Sequence, residues 1–159
     1  MSFIKAKEHL EKYHLEENVK EFSVSSATVK EAAIALACEE KEIAKTLGFL
    51  VEDKPILIVT AGDQKIDNAK FKEKFHEKAK MIPFLEVEEK IGHEVGGVCP
   101  FGIKENIPVY LDNSLKRFSY VYPACGSHNS AVKLTREELE IASNVKEWID
   151  VCKEIESQV

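Results

Sequence analysis

The chain has 159 residues and a mass of 17.9 kDa, which suits one folded domain better than two. With 44% hydrophobic and 31% charged residues, 7 Gly and 5 Pro, it falls outside the disordered, collagen-like and low-complexity classes. Lys and Arg total 22 against 28 Asp and Glu, a net charge of −6. That balance excludes a protein that coats nucleic acid through bulk charge, but leaves room for a local basic patch that grips a phosphate.

No apolar run approaches the roughly 18 residues of a membrane span. The opening Met1–His9 segment becomes charged at once and has no apolar signal-peptide core. Cys38, Cys99, Cys125 and Cys152 form no C-x-x-C pair, and no Cys/His cluster has zinc-finger spacing. The expectation is a cytoplasmic protein with reduced thiols, no structural metal and no cofactor.

In chain order, Phe3, Ala6, Leu10, Tyr13 and His14 recur at spacings of three and four, predicting an amphipathic helix over 2–17. Phe22 and Val24 alternate with polar neighbours and suit a short strand. Thr28-x-x-Glu31 is a capping box, with Val29, Ala32, Ala33, Leu36 and Ala37 as the buried face of the helix behind it. A second short helix is predicted from Glu39 to Ala44. Segments 46–51 and 55–61 read as strands joined by Glu52-Asp53-Lys54, a hairpin whose second strand is apolar on both faces and so belongs centrally in a sheet.

Asp67 caps a predicted helix over 68–78. Segment 65–80 carries six lysines against Asp67, Glu73 and Glu77, an excess of three positive charges. It reads either as a solvated helix face or as a phosphate-facing patch. A short helix over 83–91 precedes the loop Gly92–Gly102, which holds four of the seven glycines. Such a cluster marks backbone that bends sharply or approaches something closely. Strands follow at 108–112 and 118–122, then a small-residue loop at 123–130 and a strand at 131–134. Thr135-x-x-Glu138 is a second capping box, stapled by Leu134 and Leu139. Val145, Trp148, Ile149 and Cys152 have helical spacing, so the sum is an α+β (α/β mixed) chain with about six strands and helices at both ends.

Few residues can do chemistry. Lys45 stands between a helical pattern and an apolar strand. Its stem can pack while its amine reaches water, or the amine can be aimed into a cleft at a phosphate or carboxylate. Cys99 and Cys125 are buried inert thiols or, with His93 or His128 as base, nucleophiles. Asp112 closes an apolar strand. It either terminates that strand by accepting from backbone N–H groups or lines the site.

Lys45-Thr46-Leu47, Gly96-Gly97-Val98-Cys99-Pro100-Phe101-Gly102, Leu111-Asp112 and Ala124-Cys125-Gly126-Ser127 together resemble the YbaK/prolyl-tRNA-editing family over roughly residues 20–135. The Gly96-x-x-x-Pro100 loop, at this distance behind a Lys-Thr-Leu strand, is the most specific element. The resemblance implies a mixed-sheet, barrel-like editing domain with flanking helices, spanning 1–159, that removes wrongly attached amino acids from tRNA.

It assigns Lys45 to the backbone of the tRNA 3′ end, and Gly96, Gly97 and Pro100 to the segment whose amides orient the ester carbonyl. Gly126 falls on the opposite wall of a small amino-acid pocket. Phe22, Ser25, Val98, Cys99, Phe101, Gly102, Asp112 and Ser127 are carried with them as substrate-binding candidates. Preorganised donors facing a developing oxyanion are worth on the order of 10²–10³ in rate each, so neither a side-chain nucleophile nor a metal is required. The partners implied are the 3′ acceptor end of aminoacyl-tRNA and prolyl-tRNA synthetase, with no membrane and no DNA.

Ala124-Cys125-Gly126 stands where the cysteine-removing subgroup carries Ser-Gly-Gly, and the Ser25–Thr28 segment differs from that of alanine-removing members. The cargo is therefore open among cysteine, alanine, serine and threonine. A trans-acting deacylase for mischarged tRNA, probed by a deacylation panel, is the leading expectation. A non-catalytic module that binds a nucleotide or tRNA end, or docks on a synthetase, is the alternative.

Overall fold

In the computed structural model, which describes residues 2–155, α1 (Ser2–Glu11) buries Ala6 and Leu10. It ends well before residue 17 because His14 takes a left-handed conformation and the Leu15 N–H turns back to the Leu10 carbonyl at 3.1 Å. Tyr13 and His14 stay at the surface. β1 (Val19–Glu21) stops just short of Phe22 and Val24. α2 (Val29–Leu36) starts on its capping box, the Thr28 hydroxyl accepting from the Glu31 N–H at 3.1 Å while the Glu31 carboxylate accepts from the Thr28 N–H at 3.3 Å. The segment expected as a helix over 39–44 shrinks to one tight turn, Glu40–Glu42, because Ile43 and Ala44 already belong to β2 (Ile43–Val51).

β2 and β3 (Lys54–Ala61) form the expected hairpin. Its two-residue loop places both Glu52 and Asp53 at positive φ, 52° and 63°, as the mirror-image turn that matches strand twist requires. β4 (Gln64–Ile66) leads to α3 (Asn68–Phe75), where the Asp67 carboxylate accepts from the Ala69 and Lys70 N–H groups at 3.0 and 3.2 Å. α3 stops at left-handed His76, before residue 78. Its lysines are partly spent within the fold, Lys70 on Asp150 at 3.0 Å and Lys74 on Glu147 at 2.7 Å. A tight turn at Phe84–Glu86 precedes α4 (Val87–Ile91) and the glycine-rich loop.

The chain then runs through β5 (Val109–Asp112), β6 (Tyr120–Pro123), β7 (Ser130–Val132), β8 (Leu134–Thr135), α5 (Arg136–Ala142), β9 (Glu147–Ile149) and β10 (Cys152–Glu154). Six strands form a mixed sheet in the order β8-β6-β2-β3-β5-β9, curled into a half-barrel, with β3 central as expected. β5 and β6 are consecutive in sequence but flank opposite sides of the β2–β3 hairpin, each parallel to the strand it meets. β1–β7 and β4–β10 form two small antiparallel pairs.

The expectation of helices at both ends is corrected at the C-terminal side. Trp148 and Ile149 lie in an edge strand parallel to β5, and Cys152 opens β10. Their three-and-four spacing is coincidental, since Ile149, Val151 and Cys152 are all buried in one layer with Phe49, Ile58, Phe71 and Tyr110. The other face of the sheet packs Leu57, Val59 and Ala61 against Ala6 and Leu10 of α1, Ile91 of α4, and Cys99 and Phe101 of the loop. These two layers fix β2 between them, and β2 carries the site.

Asp112 resolves in favour of strand termination. It is 2% exposed, with one carboxylate oxygen accepting from the Ser114 N–H at 2.9 Å and the other from the Val151 N–H at 3.0 Å. It does not line the cleft described below. Asp112→Ala leaves two N–H groups without their acceptor and costs about 3 kcal/mol, a fall in Tm of roughly 6–12 °C for a chain of this size. A thermal melt checks this, and Asp112→Asn, which keeps one acceptor, loses less.

Candidate active site

β2 is flanked on its outer edge by two short partners with a gap between them. β6 pairs only with Ile43 and Ala44, and the segment around Met81 rejoins at Gly48–Leu50, where the Ile82 N–H donates to the Gly48 carbonyl at 3.1 Å. Residues 45–47 have no partner on that edge among the described residues. Backbone groups alternate in direction along a strand, so the edge-facing peptide groups in this gap are those of Thr46.

A cleft of about 660 Å³ opens there. Its floor is Ile43–Gly48, one wall is Ser26–Val29 with Ala32 of α2, and the other is Gly96 and Val98 with Ala124, Ser130 and Ala131. Met81, Phe84 and Val95, at 58%, 70% and 42% exposure, form an apolar lip.

Gly96 is shaped by its turn. The Gly97 N–H donates to the Glu94 carbonyl at 3.0 Å, which closes a four-residue turn with Gly96 in the third place at φ 93°, the place that demands a positive φ. A methyl there would lie 3.0 Å from the Ala27 Cβ and 3.4 Å from that of His128. A side chain at Gly97 would sit 2.3 Å from the Ser127 nitrogen, because the Gly126 N–H bonds the Gly97 carbonyl at 3.0 Å. Gly97 thus holds the 96–98 and 126–127 backbones together, and the Gly96 and Val98 N–H groups make no protein hydrogen bond among the described residues.

Six polar side chains stand in the lining: Ser26, Thr28, Lys45, Thr46, Tyr122 and Ser130. Thr28 is spent on its helix cap and Ser130 on Ser127. Ser26 is committed to the carbonyls of His128 and Ser130, at 3.3 and 3.5 Å. The Thr46 Oγ1 is buried and has no partner. The Lys45 ammonium donates to the Gln64 carbonyl. Burial pushes its pKa down, while Cys152 and the Asp63 carboxylate oppose the shift. Lys45 pairs across the hairpin with Thr60, which bonds Cys152 and Ser114 on the layer behind the floor. Successive side chains alternate in a strand, so Ala44, Thr46 and Gly48 look toward the Gly96 turn and Lys45 looks away from it. Lys45, which the resemblance assigns to the tRNA 3′ end, therefore does not aim its amine at that turn: in this conformation it is held on the Gln64 side.

Of the sequence candidates, the structure brings Lys45, Gly96 and Val98 to the cleft. Gly97 and Pro100 support the wall from behind, Pro100 being buried. Gly126 and Ser127 sit in the adjoining loop, where Gly126 accepts from the Ser2 hydroxyl of α1 and Ser127 bonds Ser130 at 2.6 Å. Phe22 is tied to Asn129, Ser25 to Glu31, Phe101 is core, and Gly102 abuts the backbone of Lys5. None of these four lines the cleft, and neither does Cys99. Sequence reasoning missed Ser26, Thr46 and the Met81–Phe84 lip. The readable signal was Ala44-x-Thr46-x-Gly48, a strand face of small residues that leaves a hollow above it.

Cys99 and His93 are brought together, Sγ to Nε2 at 3.5 Å, yet both are fully buried. Nε2 also meets the Phe101 carbonyl at 2.5 Å. A carbonyl can only accept, so Nε2 carries the proton and cannot take one from the thiol. Burial drives the Cys99 thiol far up and lowers His93. Cys125 and Cys152 are raised to about 12 by burial, and Cys38 to about 11. Iodoacetamide is therefore expected to leave activity unchanged at neutral pH, and Cys99→Ala and Cys125→Ala to lose less than threefold in rate. A rate assay after alkylation checks both. Among the described residues no three His, Cys, Asp or Glu side chains converge to hold a metal, and no helix is long and apolar enough to cross a membrane.

The model of the aminoacyl-tRNA editing domain matches residues 24–141, a span that contains both cleft walls. The chain belongs to this family. It is 52% identical to the uncharacterised protein YwhH of Bacillus subtilis over 98% of this chain and 100% of that one. Similarity to EbsC of Enterococcus faecalis, a candidate Cys-tRNA(Pro)/Cys-tRNA(Cys) deacylase, is 27% over 77% of this chain and 76% of that one. The proline–tRNA ligase of Bacillus subtilis is 27% identical over 78% of this chain, which corresponds to 22% of the ligase. Among solved structures, a candidate trans-editing enzyme for prolyl-tRNA synthetase superposes with a TM-score of 0.86 at 28% identity, covering 96% of this chain and 97% of that one. The editing-domain fold and its α+β half-barrel are thereby shared.

Proposed function

We propose that this chain is a trans-acting aminoacyl-tRNA deacylase, which hydrolyses the ester of mischarged tRNA, in the first place tRNA for proline carrying cysteine, alanine or another small amino acid. The observation that carries the proposal is the cleft itself, an apolar hollow whose unspent polar groups include the backbone N–H groups of Gly96 and Val98 and the partnerless Thr46 hydroxyl. Such a site suits a reaction that needs charge stabilisation rather than a nucleophilic side chain.

Water adds to the ester carbonyl carbon, and the oxyanion that develops takes hydrogen bonds from the Gly96 and Val98 amides. The C–O bond to the ribose then breaks, the leaving ribose oxygen takes a proton originating from the water, and the amino acid departs as its carboxylate. The partnerless Thr46 hydroxyl is the side-chain group proposed to bond the ribose or the amino group. Phe84 at the lip offers its face to the terminal base, a contact worth about 1–3 kcal/mol. A small cargo makes sense for a separate editing site, because a synthetase pocket separates such amino acids by only about 1–3 kcal/mol per methylene.

The test is release of labelled amino acid from a panel of Cys-, Ala-, Ser- and Thr-charged tRNA for proline. Release from at least one supports the reading. If every ester survives where a control editing enzyme works, the reading fails. The Lys45 ammonium, tied to Gln64 rather than free in the cleft, favours the second reading of a non-catalytic module that binds a tRNA end. That reading expects adenosine-terminated RNA to bind without loss of ester.

A further inference from the structure

The chain contains only two arginines, Arg117 and Arg136, and both line one shallow groove of about 330 Å³ between residues 116–120 and 135–137. All the cation–π pairs found among the described residues gather on the same side of the fold. Lys133 Nζ lies 4.4 Å from the Tyr120 ring, the Arg117 guanidinium 4.7 Å from Phe118, and Lys116 Nζ 4.9 Å from Trp148. We propose that this groove is a docking site for the phosphodiester backbone of an RNA acceptor stem, separate from the cleft and one strand step along β6 from it.

An exposed aromatic ring beside the cations distinguishes this face from the lysine-rich α3, whose Phe71 and Phe75 pack into the core. Lys70 and Lys74 of α3 are spent on Asp150 and Glu147. In the groove, Arg117 is similarly spent, its fork closed on Asp63 at 2.6 and 3.0 Å, and Glu137 contributes the one carboxylate of the lining. Lys116, Lys133 and Arg136 have no acidic partner among the described residues, and Arg136 is positioned by the Lys116 carbonyl, which accepts from Nη1 at 2.5 Å. Three unpaired cations beside the 47%-exposed ring of Tyr120 make the interleaving of basic and aromatic groups that binds nucleic acid strands.

The strand geometry links the two sites. Tyr120 lines the groove and Tyr122 lines the cleft, on the same face of β6. Two residues of strand span about 7 Å, which two stacked nucleotides at about 3.4 Å each also cover. A strand leaving the cleft therefore meets the cations within a few nucleotides. This inference rests on the editing reading for the identity of the RNA, but its binding measurement does not need turnover.

The experiment measures fluorescence anisotropy of a labelled acceptor-stem minihelix ending in single-stranded ACCA, across a salt series, with deacylation of the charged minihelix followed in parallel. Lys133→Ala/Arg136→Ala is expected to weaken binding at least tenfold and to reduce the slope of log K against log salt by about 2, one for each lost phosphate contact. In turnover the loss falls on KM. The control Lys72→Ala/Lys78→Ala on and beyond α3 binds as wild type. Wild-type affinity and slope in the groove variant, with its melting temperature unchanged, overturn the proposal, as does a wild-type protein that never binds the minihelix. Binding that depends on the groove without ester loss upholds the groove and sinks the deacylase. Turnover indifferent to the groove does the reverse.

Discussion

A Gly96→Ala variant is expected to lose at least 10²-fold in deacylation while remaining folded. Two physical effects combine at this position. The backbone sits at φ 93°, where a Cβ costs about 1–3 kcal/mol, and the added methyl would meet the Ala27 Cβ at 3.0 Å across the mouth of the cleft. The turn can relieve both only by rotating its peptide planes, which swings the Gly96 and Val98 amides off the ester carbonyl. Loss of one such donor is worth about 10²–10³ in rate, whereas the stability cost of about 2 kcal/mol lowers Tm by only roughly 4–8 °C. Single-turnover deacylation beside a thermal melt separates the two. Gly97→Ala is a different case, for its methyl would overlap the Ser127 backbone at 2.3 Å, so that variant loses its fold along with its activity. A folded Gly96→Ala protein that keeps the wild-type rate would remove the amides from the mechanism.

The sequence was most readable where structure is local. Both capping boxes formed because hydroxyl and carboxylate lie three residues apart and need no distant partner. The hairpin formed because apolar runs flank a two-residue turn. Reading failed where a distant strand decides. Trp148, Ile149 and Cys152 match a helical period, yet β5 and β4 offer open edges, and pairing there buries Ile149 and Cys152. The site shows the same division. The Gly96 turn was legible because glycine at a forced φ leaves a trace in composition. The direction of Lys45 was not, since one step of strand register sends a side chain to the opposite face. Asp112 and Cys99 carry chemistry-bearing groups, but only tertiary packing shows both to be enclosed.

Lys45→Met is expected to lower kcat/KM by about 10²-fold and to leave stability equal or slightly raised. The ammonium is half-buried at the edge of the cleft, bonded to the Gln64 carbonyl, and its burial depresses its pKa. The folded protein thus holds this proton less tightly than the unfolded chain does. The charged lysine subtracts from stability at every pH below its folded pKa, and that penalty fades as pH rises through the depressed value. Methionine keeps the apolar stem and removes the penalty, at the cost of one partner for Gln64.

A substrate phosphate changes the balance, because a charge-assisted bond to it is worth about 1.5–3 kcal/mol and outcompetes a neutral carbonyl. On binding, the amine is expected to leave Gln64 and turn toward the β2 edge, where residues 45–47 have no strand partner among the described residues. Two readouts follow. The alkaline limb of the wild-type rate, corrected for spontaneous ester loss, falls at a pH below the ordinary lysine range, and Lys45→Met lacks that limb. Lys45→Arg fails to rescue, since a planar fork cannot replace a compact ammonium in so narrow a gap. A methionine variant with full activity, or a wild-type rate that holds constant through the lysine range, would leave residue 45 a packing group and return the cleft to its backbone donors alone.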